Sequence, residues 1–142
     1  MKRSILTLSL TLALGIAMGI AATHVLSAQG ESVGRTEILK TDLVGLEGKE
    51  GHMWVVVIPP GQATGKHYHP GYEFIYTMEG TGIMQEVGKP DVAIKPGTSF
   101  YLRSSFDKAE YVHEAKNTGT TAIKFLVVLI SDKGQPMVKP VK

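Results

Sequence analysis

Between residues 53 and 130 the chain is cut into short apolar and aromatic runs, most of them ended by glycine or proline, and this punctuation narrows what it can fold into. The run 53–58 (MWVVVI) stops at Pro59-Pro60-Gly61, 73–78 (EFIYTM) at Glu79-Gly80, 82–87 at Gly88-Lys89-Pro90-Asp91, and 92–95 at Pro96-Gly97. Runs at 99–103 and 111–116 follow, the second closed by Asn117-Thr118-Gly119, and 122–130 (AIKFLVVLI) is the last and most apolar. No window beyond residue 35 carries a capped, sustained 3.6-residue apolar period, so no amphipathic helix is expected there. Many short β-branched and aromatic runs at regular spacing predict an all-β fold, either a sandwich or a closed barrel. Alternation within a strand assigns faces. Ile75 and Thr77 should share the inner face with Glu73, with Phe74 and Tyr76 opposite. Val55, Val57, Phe125, Val127 and Leu129 are expected in the core, as is Trp54.

The first 28 residues have a different character. Lys2 and Arg3 precede an uncharged stretch of mostly Leu, Ala, Ile and Gly up to Val25, and small residues follow at Ser27 and Ala28. That is the layout of an export signal, read as an N-terminal helix that is cleaved, with the domain delivered to the periplasm or secreted. The stretch is also long enough to span a bilayer, so an uncleaved inner-membrane signal-anchor is the alternative. Membrane association is expected only in that case. Residues 29–36 read as a polar tether, and 37–142 as one compact domain. Of 15 Lys+Arg and 13 Asp+Glu, the export segment holds two basic residues and no acidic one. The remainder is balanced, and it offers no basic face for nucleic acid. There is no cysteine, which removes disulfides, thiolate metal ligands and cysteine nucleophiles together.

The chemistry is concentrated in a few histidines. Of the five in the chain, His24 lies in the export segment, and the isolated His52 reads as a satisfied or surface histidine. His67 and His69 are two apart and project to one face if the segment is extended. Glu73 opens the next run after the Pro70-Gly71 turn, and His113 lies in a later β-type run that can approach from across a barrel. Imidazole and carboxylate are common ligands of divalent transition metals. A pair of histidines two apart is by itself a weak signal. The fixed offsets strengthen it: Gly61, five residues, His67, one, His69, three, Glu73, six, Gly80. No nucleophile elbow, phosphate-cradling glycine loop or HExxH competes with this set.

This arrangement resembles the first motif of the cupin superfamily, Gly, five residues, His-x-His, three or four, Glu, six, Gly. The second cupin motif ends in His-x3-Asn, and His113 and Asn117 stand at that spacing, with Pro96-Gly97 upstream where the family has its turn. The likeness covers roughly residues 37–131 and is greatest to small single-domain cupins of the quercetin-dioxygenase-like type. It implies a cupin-type β-barrel, a double-stranded jelly roll, and carries the family's metal ligands onto His67, His69, Glu73 and His113. The chain departs from the pattern in three places. The interval from Gly97 to His113 is long, the proline usual before the second-motif histidine is missing, and Thr98 replaces a frequent Asp. Glu110 and Glu114 are therefore rival carboxylates near the fourth position, and residues 104–108 are expected to form a loop at the barrel mouth. Tyr111 shares the parity of His113 and is expected to line the pocket.

The resemblance implies one divalent transition metal, with Fe, Mn, Ni, Cu and Zn all compatible with the donors. It implies an oxygenase or isomerase of a small organic substrate, with Glu73 the candidate to serve both as ligand and as proton carrier. The alternative is a non-catalytic module that binds a small ligand or only the metal. A homodimer is expected from the resemblance and from the β-edges such a fold leaves to be covered.

Overall fold

A computed structural model of the protein describes residues 32–104 and 110–141. The export segment, the first three residues of the tether and the core of the expected mouth loop lie outside the described residues. The described residues contain ten strands and no helix. They are β1 (Gly34–Asp42), β2 (Lys49–Ile58), β3 (His67–Tyr68), β4 (Gly71–Glu79), β5 (Gly82–Glu86), β6 (Val92–Ile94), β7 (Ser99–Ser104), β8 (His113–Lys116), β9 (Ile123–Asp132) and β10 (Lys139–Pro140). They form two five-stranded sheets, ordered β1-β2-β9-β4-β7 and β10-β3-β8-β5-β6. Neighbouring strands pair antiparallel throughout both sheets. The all-β fold expected from the punctuation is the fold observed.

The spine of the first sheet is a ten-pair ladder between β2 and β9, from Lys49↔Asp132 to Ile58↔Ile123, with β4 laid along the other side of β9. The inner face of β2 carries Trp54, Val56 and Ile58, that of β9 carries Ile123, Phe125, Val127 and Leu129, and that of β4 carries Ile75. Met84, Ile94 and Ala115 close on them from the second sheet. Burial of this set is the main driving force for the fold, since there is no disulfide to supplement it.

Parity read from the sequence holds in β4, where Glu73, Ile75 and Thr77 are buried and Phe74 and Tyr76 are about half exposed. It fails in β2. Trp54 and Val56 point inward, while Val55 and Val57 are only partly covered. The outer face of this sheet is itself rich in apolar side chains, so MWVVVI shows no alternation from which its phase could be read.

The tether reading is corrected at its end. Gly34–Thr36 are the first residues of β1, which pairs with β2 from Gly34↔Val57 to Asp42↔Glu50, with an irregularity between Glu37 and Leu39. All nine residues of β1 are exposed, so main-chain pairing and surface charge hold it, and it leaves no apolar pattern to detect. Residue 104 is likewise not loop. Ser104 ends β7, is buried, and donates its hydroxyl to the Glu110 carbonyl.

Two motif positions prove architectural. Asn117 donates from Nδ2 to the carbonyls of Ile58 and Thr121, both at 2.8 Å, and accepts from the Gly119 amide at 2.9 Å. It ties the end of β2 to the turn before β9. Gly80 has φ +82°, and a Cβ there would sit 2.5 Å from the Ala122 carbonyl oxygen, so backbone conformation and contact both select glycine.

Candidate metal centre

β3 and β8 bring the first and last predicted ligands together, with His67 directly opposite His113 in register. His69 lies between β3 and β4, and Glu73 projects inward from β4 of the other sheet. All four side chains are buried. One donor atom from each of His67, His69 and His113 falls within 4.8 Å of the others, and they are the only such group of three or more found among the described residues. Glu73 stands outside that mutual set but touches it on two sides, with Oε1 3.1 Å from His69 Nε2 and Oε2 3.6 Å from His113 Nε2.

Backbone carbonyls orient the three rings. Nδ1 of His67 lies 2.7 Å from the Gly65 carbonyl, that of His69 2.5 Å from Met137, and that of His113 3.0 Å from Tyr111. A carbonyl only accepts, so each Nδ1 carries the proton and donates, leaving a lone pair on each Nε2. This is the outer-partner arrangement that fixes the tautomer of metal-ligating histidines. Burial, first of all, holds the three imidazoles below the ordinary histidine range, His69 well below and His113 down to about 4. They are therefore neutral at physiological pH.

Glu73 is driven the other way. Burial pushes it up to about 8, against an opposing pull from Arg35. Its Oε2 is fully buried with no hydrogen-bond partner. Lone pairs on His69 and His113 thus face carboxylate oxygens with no proton between them unless Glu73 itself carries one. A cation among these atoms would relieve the conflict, and three neutral nitrogens with one oxygen suit a divalent transition metal. The residues present fit such an ion.

The cavity beside them is small, about 20 Å³, which is close to what one water needs (roughly 10–15 Å³). Apart from the four polar groups its walls are mainly apolar, with Trp54, Ile75, Met84 and Phe125 prominent. The rival carboxylate Glu114 pairs with Lys116 Nζ at 3.2 Å, and Glu110 is exposed. Tyr111 does not line the cavity as expected. Its φ of 53° breaks the strand alternation, and its ring lies 4.9 Å from Lys89 Nζ. His52 is buried outside the donor set, with Nδ1 3.3 Å from Glu37 and Nε2 3.0 Å from Glu50. Arg35, on β1, lines the cavity and was missed because its segment reads as tether.

The profile of the cupin domain matches residues 54–129 of the chain. A Thermotoga maritima protein named oxalate-binding protein is 38% identical over 74 residues, covering 51% of this chain and 56% of that protein. The chain thus spans about half the length of this curated relative. Among solved structures, a conserved double-stranded β-helix protein from Klebsiella pneumoniae subsp. pneumoniae MGH 78578 superposes with a TM-score of 0.61 at 19% identity, over 80% of this chain and 89% of that one. An oxalate oxidase in complex with the substrate analogue glycolate also gives 0.61, at 20% identity, over 78% of this chain and 55% of that one. At such identities the structural likenesses speak for the fold. Together with the profile match across more than half of the sequence, they place the chain in the cupin superfamily.

Proposed function

We propose that this protein holds one divalent transition metal through His67, His69, Glu73 and His113 and binds a small organic molecule beside it. The observation that carries the reading is the convergence of three neutral imidazoles, each fixed through Nδ1, on a buried carboxylate with an unpartnered oxygen. A metal held there would supply Lewis-acid polarisation of a ligand in the cavity, and electron exchange if it is redox-active. The chain's own contribution is to hold the donors neutral and oriented, and to surround the ligand with apolar walls that exclude water. The oxalate-binding name of the Thermotoga maritima relative supports small-ligand binding. Turnover as an oxygenase or isomerase, with Glu73 moving a proton, is the second reading, favoured by the free space left beside the donors. Oxygen uptake or product formation on candidate substrates, across Fe, Mn, Ni, Cu and Zn reconstitutions, distinguishes the two.

Elemental analysis of protein purified without chelators should give about one divalent metal per chain. His113→Ala should lose it, while Glu114→Ala and Glu110→Ala keep it. Metal well below half per chain after reconstitution would refute the centre, and loss on Glu114→Ala with retention in His113→Ala would reassign the fourth ligand.

The reading also places the mature chain outside the cytosol, in the periplasm or secreted, as a homodimer. Export rests on Lys2-Arg3 and the uncharged run that follows. Dimerisation is supported by the outer face of the first sheet, where Tyr72, Phe74, Tyr76 and Tyr101 are 40%, 47%, 50% and 56% exposed. Cell fractionation with intact mass, followed by light scattering at micromolar concentration, checks both. A cytosolic protein that retains Met1 refutes export, and a scattering mass of one mature chain refutes the dimer.

A further inference from the structure

The charged residues of β1 divide into two groups. Glu37 meets His52 Nδ1 at 3.3 Å, Lys40 meets Glu50 at 3.1 Å, and Asp42 meets Lys133 Nζ at 2.7 Å. Each ties the exposed edge strand to the body of the domain. Arg35 is the exception. It has no ion-pair partner among the described residues, and it is the one residue of β1 that lines the cavity of the candidate metal centre. Its register explains the placement, because Arg35 lies opposite Val56, which is buried in the cavity wall.

Arg35 is also the only cationic side chain in that lining, whose single carboxylate is Glu73. No packing role accounts for it, since every residue of β1 is exposed. An arginine at this position presents up to five N–H donors, in a planar fork matched to a carboxylate, toward a cavity that otherwise offers three imidazoles, Glu73 and Thr64 among apolar walls. The cavity, at about 20 Å³, admits little more than one water, so only the inner tip of a ligand is enclosed and the rest lies at the rim where Arg35 stands. A ligand so little enclosed cannot gain much from apolar contact, so charge must supply most of its recognition.

We infer that Arg35 is a ligand-binding residue that selects small carboxylate anions, one end of the anion lying among the metal donors and an outer carboxylate oxygen pair accepting from the guanidinium. The inference rests on the metal-centre reading and adds to it a ligand class and the residue that chooses it. Hydrogen bonds to a charged partner at a site bordered by apolar walls exceed those between neutral groups. Arg35 sits at the exposed rim, which brings the expected effect down to about tenfold or somewhat more.

The test uses the full chain loaded with Mn(II), titrated calorimetrically with oxalate as the anionic probe and oxamide as its neutral isostere, with metal content measured before and after. Wild type should prefer oxalate. Arg35→Gln should weaken oxalate by about 10- to 30-fold while leaving oxamide affinity, metal content and melting temperature unchanged. Arg35→Lys should recover part of the loss, because it restores the charge without the fork. Metal at one per chain, with oxalate bound equally by wild type and Arg35→Gln, overturns the assignment of Arg35. Metal at one per chain with no preference for oxalate over oxamide overturns the ligand class. A wild type that takes up no metal overturns the centre itself, and this inference with it.

Discussion

Replacing His69 by alanine should lower affinity for divalent metal by more than about 100-fold and leave the purified protein essentially metal-free. Loss of a mere outer partner of a metal ligand costs about 10- to 100-fold in affinity, and on the proposed reading His69 is itself a donor. It is also the most constrained of the set. Its Nδ1 is held 2.5 Å from the Met137 carbonyl, its Nε2 lies 3.1 Å from Glu73, and its ring is stacked at 5.5 Å on that of His113. No neighbouring group can replace it, because Trp54 alongside offers no lone pair. His52→Ala is the matched control. His52 is equally buried and also near Trp54, but it faces Glu37 and Glu50 and should not alter metal content. Competition with a chelating dye measures both variants. Equal loss from both would mean that metal uptake follows general destabilisation of the barrel, and retention by His69→Ala would remove it from the site.

The contrast between His69 and His52 shows how far the sequence alone can be read. His67, His69, Glu73 and His113 were legible because spacing converts directly into strand geometry, and the structure brings them within a few ångströms. The exposed and buried faces of β4 were legible for the same reason. What was lost depended on partners distant in the chain. His52 reads as an isolated histidine, yet its two carboxylates come from Glu50 on its own strand and Glu37 across the β1–β2 ladder. Arg35 reads as tether because β1 is formed by main-chain bonds and buries no side chain. β3 and β10 are two residues each, too short to carry any period. Tyr111 was misplaced because parity assumes extended backbone, and its positive φ interrupts the strand two residues before His113. The local pattern therefore pointed to the four clustered side chains, while Arg35 could be placed beside them only in three dimensions.

Measured against Glu73→Gln, the metal-free protein should lose stability as pH rises from 6 to 8.5, and metal should restore it. Burial raises Glu73 to about 8, so the folded state keeps a proton that the unfolded chain releases near 4.5. A group raised in the folded state contributes its stability fully below its unfolded value and loses it as pH climbs through the folded value. The histidines act in the opposite sense. Burial lowers His67 and His69 and takes His113 to about 4, so their contribution is present above the ordinary 6.5 and is lost as pH falls toward 4. The three histidines outweigh the single carboxyl up to about their ordinary 6.5, so the metal-free fold should be most stable near neutral pH, and the Glu73 contribution is read as the difference from Glu73→Gln. By linkage, the Glu73 contribution falls by on the order of 2–3 kcal/mol between pH 6 and 8.5, roughly 10 °C in melting temperature for a domain of this size. A divalent cation takes the place of the proton, so the melting increment on adding metal should grow with pH across this range. Glu73→Gln, neutral at every pH, keeps only the histidine contribution, so its metal-free melting temperature should climb relative to wild type between pH 6 and 8.5, and its metal increment should be smaller. Melting curves of wild type and Glu73→Gln, with and without Mn(II), decide the matter. A melting-temperature difference between metal-free wild type and Glu73→Gln that stays constant from pH 6 to 8.5 would show that Glu73 is already ionised at pH 6, and that the conflict between its oxygens and the imidazole lone pairs is relieved by something other than a proton.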